Sequence, residues 1–467
     1  MRNARQRFCF LFLCALVSAC AHYPRNDALQ SYRPEEGYRF DALQDGDNTD
    51  SLFLCLALSG GGTRAAALAY GVMRRLDEVT ITWKGKQRRL LDELDCISSV
   101  SGGSFTAAYY ALFGRRLFQD FRARFLDRDV QQTLFHRVFY PGNLVRLLSP
   151  YFGPIDLAAE YYGETVFEDR TFGDLIASGR RPFIMVNATN LASGERFDFT
   201  QDQFDLLGSD LATFPVARAV AASSAFPILL SPVSLFNHPQ PPGFALPDEY
   251  KDAEQDYFLN RRRYQWARNR LSLLDKAERP YVHIMDGGLA DNIGLRAIDN
   301  AYRRGFIRHR LNDGLIEKLV LVVVNARTEA QDEVTRMESP PSLAFVAYKT
   351  ATISMDNYSF ETIEMVRELS AERVKAQQVV AACQQRLAER CPGAPGLPTF
   401  AVAVDPHVIE LNFEMISDPQ RRRYFLELPT TFALPRPAVN DLIAMGGELL
   451  DRSPEFQQFL MGVVPKR

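Results

Sequence analysis

The sequence predicts an α/β protein whose mainly parallel central sheet is flanked by helices, with a helical insertion and a C-terminal helical extension. Short, continuous apolar runs alternate with helical segments between residues 52 and 325, a pattern typical of strands buried on both faces of a sheet. Glycine-rich turns follow three of these runs, as sharp connections require. With 46% hydrophobic and 24% charged residues, the 467-residue chain has the composition of a globular protein with a large core.

The N-terminus has the features of a secretory targeting segment. Arginines at positions 2, 5 and 7 precede an apolar run at residues 8–19, which is shorter than the roughly 20 residues that a membrane span requires. Small residues stand immediately before Cys20, an arrangement that resembles the processing box of bacterial lipoproteins. The resemblance implies that residues 1–19 are a signal peptide and that Cys20 carries a lipid. A plain secretory signal followed by a coincidental cysteine is the alternative.

The segment after the signal is predicted to be a tether. Residues 20–50 are polar and rich in turn-forming residues, so they are expected to connect the lipid to the folded body. Ala21, rather than an aspartate, follows Cys20, and the lipoprotein sorting pattern then favours the outer membrane. We therefore expect a lipid-anchored location in the bacterial cell envelope, with the membrane surface as a partner. The formal net charge of −3 gives no electrostatic reason to expect nucleic-acid binding.

The main α/β domain is predicted at residues 51–330, with an insertion at about 236–280 that contains one exposed helix. A helical and mixed extension, 331–467, is expected to pack on this domain. Within the extension, the segments at 340–353 and 357–390 either cover the site as a lid or pack against the sheet. The predicted strands are 52–58, 94–100, 183–188, 281–285 and 319–325, and the first two are followed by helices at 64–79 and 104–113.

Four cysteines belong to the predicted folded body. Cys55 and Cys96 lie in strand-like apolar runs and are expected to be buried thiols. Cys383 and Cys391 flank a short stretch at the end of a helical segment. In an oxidising compartment these two could pair, although the sequence alone does not define their geometry. No cysteine or histidine spacing suggests a structural zinc site.

A glycine-rich loop, Gly60-Gly61-Gly62, joins the first predicted strand directly to the first helix. Consecutive glycines allow backbone conformations closed to other residues and a close approach to a ligand. Their amides would face outward at a helix N-terminus, where the dipole favours negative charge, as an oxyanion hole requires. A tight turn is the alternative. A phosphate-binding loop is disfavoured because neither GxxxxGK[ST] nor GxGxxG occurs.

The second strand–helix junction carries a candidate nucleophile, Ser101, in the sequence S-V-S-G-G. A sharp strand-to-helix turn exposes a serine hydroxyl, and small residues two positions before and after it relieve crowding. Ser99 and Gly103 occupy those positions, and none of the neighbouring serines has this spacing. The pattern predicts Ser101 as a nucleophile. A serine-rich turn without a catalytic role is the alternative.

Asp286 is the candidate base, in an Asp-Gly-Gly turn after the strand predicted at 281–285. A carboxylate at the C-terminal end of a parallel strand lies on the edge where α/β sites form. A serine nucleophile needs a base, yet none of the six histidines lies in an evident post-strand loop. His283, three residues earlier on the same strand, should point to the opposite face. Asp286 is therefore expected to accept the serine proton directly, with burial raising its basicity.

The order of glycine loop, serine elbow and Asp-Gly-Gly aspartate resembles the patatin-like phospholipases, which use a Ser–Asp dyad on a three-layer α/β fold. The segment at 221–227, AASSAFP, is similar to that family's A-S-x-A-x-P segment, which packs beside the active site. Arg64 matches a basic position near the oxyanion. The resemblance spans residues 52–330. It departs from the family at Ser99, where glycine is usual, and at Ser59, where plant members have aspartate.

The resemblance implies a serine lipid acyl hydrolase, similar to a phospholipase or lysophospholipase, that acts on membrane lipid esters. Ser101 would attack the ester, Asp286 would take its proton and the glycine-loop amides would stabilise the oxyanion. Arg64 either assists electrostatically or braces the turn. No metal or organic cofactor is expected, and the oligomeric state is undetermined. The alternatives are a non-catalytic envelope lipoprotein on a hydrolase fold, a general carboxylesterase and a Ser-His-Asp esterase with an unassigned histidine.

Overall fold

The computed structural model describes residues 21–463 apart from 45, 47, 228–229, 330–333, 335, 392–403 and 405. The predicted signal peptide and Cys20 therefore lie outside the described residues. Within the described ranges, no helix combines the length and the apolar character needed to cross a bilayer.

Eight of the described strands form one sheet in the order β10-β9-β1-β4-β5-β8-β7, with β6 paired to β5. Two further strands form a separate antiparallel hairpin. The sheet strands are β1 (Leu52–Leu58), β4 (Leu94–Val100), β5 (Phe183–Asn190), β6 (Arg196–Asp198), β7 (Val233–Phe236), β8 (Tyr281–Asp286), β9 (Lys318–Asn325) and β10 (Pro406–Asn412), and the hairpin is β2 (Thr80–Trp83) with β3 (Lys86–Arg89).

Most of the sheet is parallel, as predicted. The run from β10 through β9, β1 and β4 to β5 is parallel throughout, and every residue of β1, β4 and β5 is buried, so helices or loops cover both faces there. The expectation that Asp286 ends a parallel strand was wrong. β8 runs antiparallel to β5, with Ala188 opposite Asp286, and β7 runs antiparallel to β8.

Helices alternate with these strands along the chain. The first two, α1 and α2, begin two residues before their predicted starts. Among the described residues the α-helices are α1 (Gly62–Glu78), α2 (Gly102–Phe113), α3 (Leu117–Phe121), α4 (Val130–Phe139), α5 (Pro141–Arg146), α6 (Pro154–Tyr162), α7 (Phe172–Ser178), α8 (Gln201–Leu206), α9 (Val216–Ser223), α10 (Asp248–Glu254), α11 (Arg261–Leu271), α12 (Gly288–Asp291), α13 (Leu295–Arg304), α14 (Phe306–Asn312), α15 (Leu343–Arg390), α16 (Pro419–Leu426), α17 (Arg436–Arg452) and α18 (Pro454–Val463).

The segment predicted to be a tether packs against the body instead. Tyr38, Phe40 and Leu43 are buried, and the Tyr38 hydroxyl accepts a hydrogen bond from the Ile184 amide (2.8 Å). Arg39 forms a buried ion pair with Asp205 (2.6 Å). The tether prediction failed because the average polarity of residues 20–50 hides a few apolar anchors and one arginine with acidic partners on the body.

The predicted insertion contains two helices, α10 and α11, so the expectation of one exposed helix was wrong. Trp266, Ala267 and Arg270 of α11 are buried. The Arg270 guanidinium pairs with the buried carboxylate of Asp198 (2.5 Å). The charge density of this stretch therefore reflects a helix that docks partly through a buried ion pair, which sequence periodicity does not reveal.

The C-terminal extension packs on the main domain and also contributes to its sheet. β10 pairs in parallel with β9, so the sheet continues beyond the predicted boundary at residue 330. α17 packs against α1 at two glycines: a Cβ on Gly71 would collide with the Ile443 carbonyl, and one on Gly446 would lie 2.6 Å from the Leu68 carbonyl oxygen. Glycine thus lets these two helices approach to backbone contact.

The cysteine predictions were partly wrong. Cys55 and Cys96 are a disulfide rather than two thiols, because they face each other directly in the β1–β4 register with Cα atoms 4.7 Å apart. Cys383 and Cys391 are exposed and unpaired with each other. Eight residues of helix separate their Cα atoms by about 12 Å, which is too far for a disulfide.

Candidate active site

Ser101 sits at the junction of β4 and α2 in a strained backbone conformation. Its φ of +48° lies in a region that residues other than glycine seldom adopt. The following residue must be small, since a Cβ on Gly102 would collide with the Gly62 carbonyl oxygen. The local sequence thus produces the sharp turn that the elbow pattern predicts, and the Ser101 side chain faces a cavity.

Asp286 lies next to Ser101 although 184 residues separate them in sequence. Asp286 is 2% exposed, its Oδ1 accepts the Gly288 amide (2.7 Å), and it lines the same cavity as Ser101. Burial raises the pKa of Asp286 to about 7, and the Gly288 amide and the Ser101 side chain limit this rise. A carboxylate with this pKa can gain and lose a proton near neutral pH, as a general base requires.

The segment at 221–227 connects the serine elbow to the aspartate. Ser223 Oγ accepts the Ser101 amide (2.8 Å) and donates to the Asn187 carbonyl (2.6 Å). The Ser223 carbonyl accepts the Gly287 amide (3.1 Å), and the Ala225 carbonyl accepts the Asp286 amide (3.1 Å). This agrees with the position beside the site that the family resemblance implied.

Sequence reasoning missed Asn187 and the bridging role of Ser223. The Asn187 amide group is buried and donates to Ser98 Oγ (2.9 Å) and to the Ser99 carbonyl (3.0 Å), so it ties β5 to the strand that carries the elbow. The available signal was a polar residue inside the apolar run FIMVNATN, because a buried amide needs partners.

The three glycines of the loop are not equivalent. The Gly60 amide donates to the Asn292 carbonyl (2.9 Å), so the inclusion of Gly60 in the predicted oxyanion hole is not supported. No hydrogen bond from the Gly61 or Gly62 amide to another described residue is present. Gly61 has φ +138° and Gly62 has φ +60°, and Gly61 lines the cavity together with Ser101. These two amides are the candidates for binding an oxyanion.

Arg64 connects the glycine loop to the C-terminal segment. Its buried guanidinium donates to the Ala326 carbonyl (2.9 Å), the Leu428 carbonyl (2.5 Å) and Thr430 Oγ1 (3.0 Å). The Thr431 carbonyl accepts the Thr63 amide (2.9 Å). These contacts favour the bracing role over the electrostatic one, although the guanidinium also lies close to Gly61.

The cavity at Ser101 has a volume of about 90 Å³, and helix α15 covers it. Lys349, Thr352 and Met355 of α15 line the cavity together with Ser101 and Asp286. A Cβ on Gly288 would collide with the Met355 methyl group, so the helix packs directly on the turn after Asp286. A larger cavity of about 670 Å³ lies at the N-terminal end of β5 and contains none of the predicted site residues.

Histidine does not accompany Ser101 in the described part of the site. No described residue lining the cavity is a histidine. His283 is exposed and its Nδ1 hydrogen-bonds with Ser234 Oγ (2.9 Å), while three other histidines bond main-chain carbonyls: His22, His238 and His407. Nor do three or more potential metal ligands cluster anywhere in the described ranges.

Comparison with known proteins gives one match to a family model. The family described as patatin-like phospholipase matches residues 56–299, more than half of the chain. Among curated proteins, none matches this sequence.

Several solved structures are similar to this chain at low identity. Human GIVD cytosolic phospholipase A2 is 16% identical with a TM-score of 0.37, and the match covers 65% of this chain and 48% of that one, so this chain spans about half of its length. VipD from Legionella pneumophila is 13% identical with a TM-score of 0.32, over 94% and 71% of the two chains. ExoU from Pseudomonas aeruginosa, in complex with SpcU, gives 14% identity and a TM-score of 0.23 over 94% and 98%.

Proposed function

The chain belongs to the patatin-like phospholipase family, and we propose that it is a serine lipid acyl hydrolase whose catalytic dyad is Ser101 and Asp286. The single observation that carries the proposal is that Ser101 and the buried Asp286 line one cavity, where the Ser101 side chain lowers the pKa of the Asp286 carboxyl. The carboxylate's pKa of about 7 supports a base that works near neutral pH.

The proposed reaction has two steps. Ser101 Oγ attacks the ester carbonyl carbon while Asp286 takes the hydroxyl proton, and the departing alcohol then receives that proton as the acyl-enzyme forms. Water next attacks the carbonyl carbon of the acyl-enzyme and gives a proton to Asp286, which passes it to Ser101 Oγ as the bond to the acyl group breaks, so the fatty acid and the Ser101 hydroxyl are released. The Gly61 and Gly62 amides stabilise the oxyanion in both steps, where one such donor is typically worth about 3–4 kcal/mol.

The proposed substrate is a phospholipid or lysophospholipid, with neutral glycerides and other acyl esters as the alternatives. A cavity of about 90 Å³ is smaller than the roughly 300–1,000 Å³ of ordinary ligand pockets. A long acyl chain therefore requires α15 to shift away from the dyad. This supports the interpretation of the 340–390 region as a lid.

We also propose that Cys20 is lipidated and that the protein is anchored in the bacterial cell envelope, in the outer membrane. The basic and apolar N-terminal sequence supports export. The buried Cys55–Cys96 disulfide adds support, because disulfides persist mainly in oxidising compartments.

The test is lipid profiling of the purified protein against a panel of phospholipids, lysophospholipids, glycerides and soluble esters. We expect release of fatty acid from the lipid substrates by the wild type, and none by Ser101→Ala. Hydrolysis of soluble esters alone would favour the general carboxylesterase. No hydrolysis by folded protein would favour the non-catalytic lipoprotein. Loss of activity on replacing any one histidine by glutamine would instead favour a Ser-His-Asp esterase.

A further inference from the structure

We propose that one exposed apolar surface, the docking face, inserts into a lipid bilayer beside the N-terminal anchor. The docking face is formed by residues of α4, α5 and the turn that follows: Phe135, Phe139, Tyr140, Leu144, Leu148 and Tyr151. Phe135 is 62% exposed, and Tyr140 and Leu148 are each 68% exposed. A cluster of exposed large apolar side chains on a soluble domain marks a protein or membrane contact.

The docking face combines aromatic side chains with arginines. No acidic residue occurs between Asp129 and Asp156, and the two arginines of this stretch are paired with carboxylates that follow it, Arg137 with Glu164 and Arg146 with Glu160. Aromatic side chains and arginines are the residues that settle at the boundary between headgroups and acyl chains.

The N-terminal end of the described chain lies at the docking face. Ser149 Oγ donates to the Ala21 carbonyl (2.5 Å), and the Tyr23 amide donates to the Tyr151 carbonyl (2.7 Å). Cys20 directly precedes Ala21 in the sequence. The lipid proposed on Cys20 would therefore enter a membrane next to this face. This favours a bilayer over a second copy of the chain or a soluble protein.

The docking face also adjoins the candidate active site. The Val130 amide at the start of α4 donates to the Phe432 carbonyl (3.1 Å), and Thr431 Oγ1 donates to the Gln131 side chain (2.7 Å). The Thr431 carbonyl in turn accepts the Thr63 amide behind the glycine loop. The start of α4 is thus connected to the segment that packs behind the glycine loop. The choice of a bilayer rests on the proposed lipid anchor, and delivery of lipid to Ser101 rests on the proposed activity.

The experiment places a tryptophan in the docking face of the full chain by Phe139→Trp. The control is Phe258→Trp, an equally suitable aromatic position that is 88% exposed in the insertion, outside the docking face. Both variants are mixed with vesicles of phosphatidylethanolamine and phosphatidylglycerol that carry brominated acyl chains. Bromine quenches tryptophan only on contact, and the native Trp83 and Trp266 give the same background in both samples.

We expect the emission of the introduced tryptophan to shift to the blue and fall by about half or more in Phe139→Trp, because interfacial apolar faces reach about 5–10 Å into the headgroup and acyl boundary. Phe258→Trp should be unchanged. Equal quenching at the two positions would overturn the proposal. It would equally be overturned if the Phe139→Trp emission changed with protein concentration in lipid-free solution, with a matching dimer in sedimentation.

A double variant, compared with the wild type, separates docking from catalysis. Phe135→Asp combined with Leu148→Asp changes only exposed side chains, and should reduce vesicle binding by at least about ten-fold. Its hydrolysis of a soluble short-chain ester should equal that of the wild type. Unchanged vesicle binding would contradict the docking face. If the wild type hydrolyses neither the soluble ester nor any lipid of the panel while the vesicle result holds, the proposed function fails and the docking face stands.

Discussion

Replacing Asp286 by asparagine should lower kcat/KM by about 10²–10⁴ and at the same time stabilise the folded protein. Asparagine keeps the shape of the side chain, and its Oδ1 can still accept the Gly288 amide. What it removes is a buried negative charge. Because burial raises the pKa of Asp286 from 3.8 to about 7, the folded state binds a proton more tightly than the unfolded state does.

The magnitude follows from that difference. Below pH 3.8 the carboxyl is protonated in both states and has no effect on stability. As the pH rises from 3.8 to about 7, the unfolded state ionises first, so the wild type loses stability progressively. Each pKa unit corresponds to about 1.4 kcal/mol, so the loss reaches about 4 kcal/mol at pH 8, and it grows by about 2–3 kcal/mol between pH 5 and pH 8. Asp286→Asn removes this loss.

The assay is chemical denaturation of both proteins at pH 5 and pH 8. The free energy of unfolding of Asp286→Asn should exceed that of the wild type, by more at pH 8 than at pH 5. As a control, Asp291→Asn should lower it, because the Asp291 carboxylate accepts the Arg296 (2.8 Å) and Gly294 (3.1 Å) amides. A stability difference for Asp286→Asn that is flat between the two pH values would refute the reasoning.

The same pKa determines how activity depends on pH. Ionised Asp286 is the proposed base, so kcat/KM for a soluble ester should rise with pH to a plateau, with a midpoint near 7. Asp286→Asn should lower kcat/KM by about 10²–10⁴, the usual contribution of a general base. Full activity retained at pH 5 would show that the base titrates like an ordinary carboxylate.

Three further predictions concern the scaffold of the site. Gly62→Ala should abolish activity and unfold at a lower denaturant concentration, because the added Cβ would collide with the Thr431 carbonyl. The control is Gly85→Ala, at a glycine that also has positive φ but has open space around it. This variant should lose only about 1–2 kcal/mol of stability and keep full activity. Arg64→Lys should lower both kcat and the melting temperature, because it removes hydrogen bonds that hold the glycine loop to the C-terminal segment. A lower kcat with an unchanged melting temperature would favour an electrostatic role. Replacing Cys55 and its partner by alanine should lower the free energy of unfolding by about 4 kcal/mol relative to the oxidised wild type in urea denaturation, and the reduced wild type should show a similar loss.

Features that depend on a few neighbouring residues could be predicted from the sequence. The boundaries of β1 and β4 match those predicted. β1 is an uninterrupted apolar run followed by glycines, whereas β4 contains one aspartate and two serines and ends directly at the elbow turn. The elbow at Ser101 is also local, since its turn depends on the glycines that follow it. Whether Ser101 and Asp286 act as a dyad remains a prediction, although the structure brings them together as the motif order implied.

Features that depend on residues distant in sequence could not be predicted. Asp286 reaches the site on an antiparallel strand, and strand direction is determined by the path of the intervening insertion. The Gly60 amide is engaged by Asn292, 232 residues further along, so the glycine pattern could not distinguish it from Gly61 and Gly62. The Cys55–Cys96 disulfide depends on the register of β1 against β4.

The most direct test of the dyad is reaction of the folded protein with a small alkyl fluorophosphonate at pH 8, followed by intact mass and peptide mapping. We predict one adduct per chain, on Ser101, which forms much more slowly in Asp286→Asn. Ser99→Ala, which changes a buried serine two residues away, should label like the wild type. An unlabelled folded protein, or an adduct on any residue other than Ser101, would contradict the account.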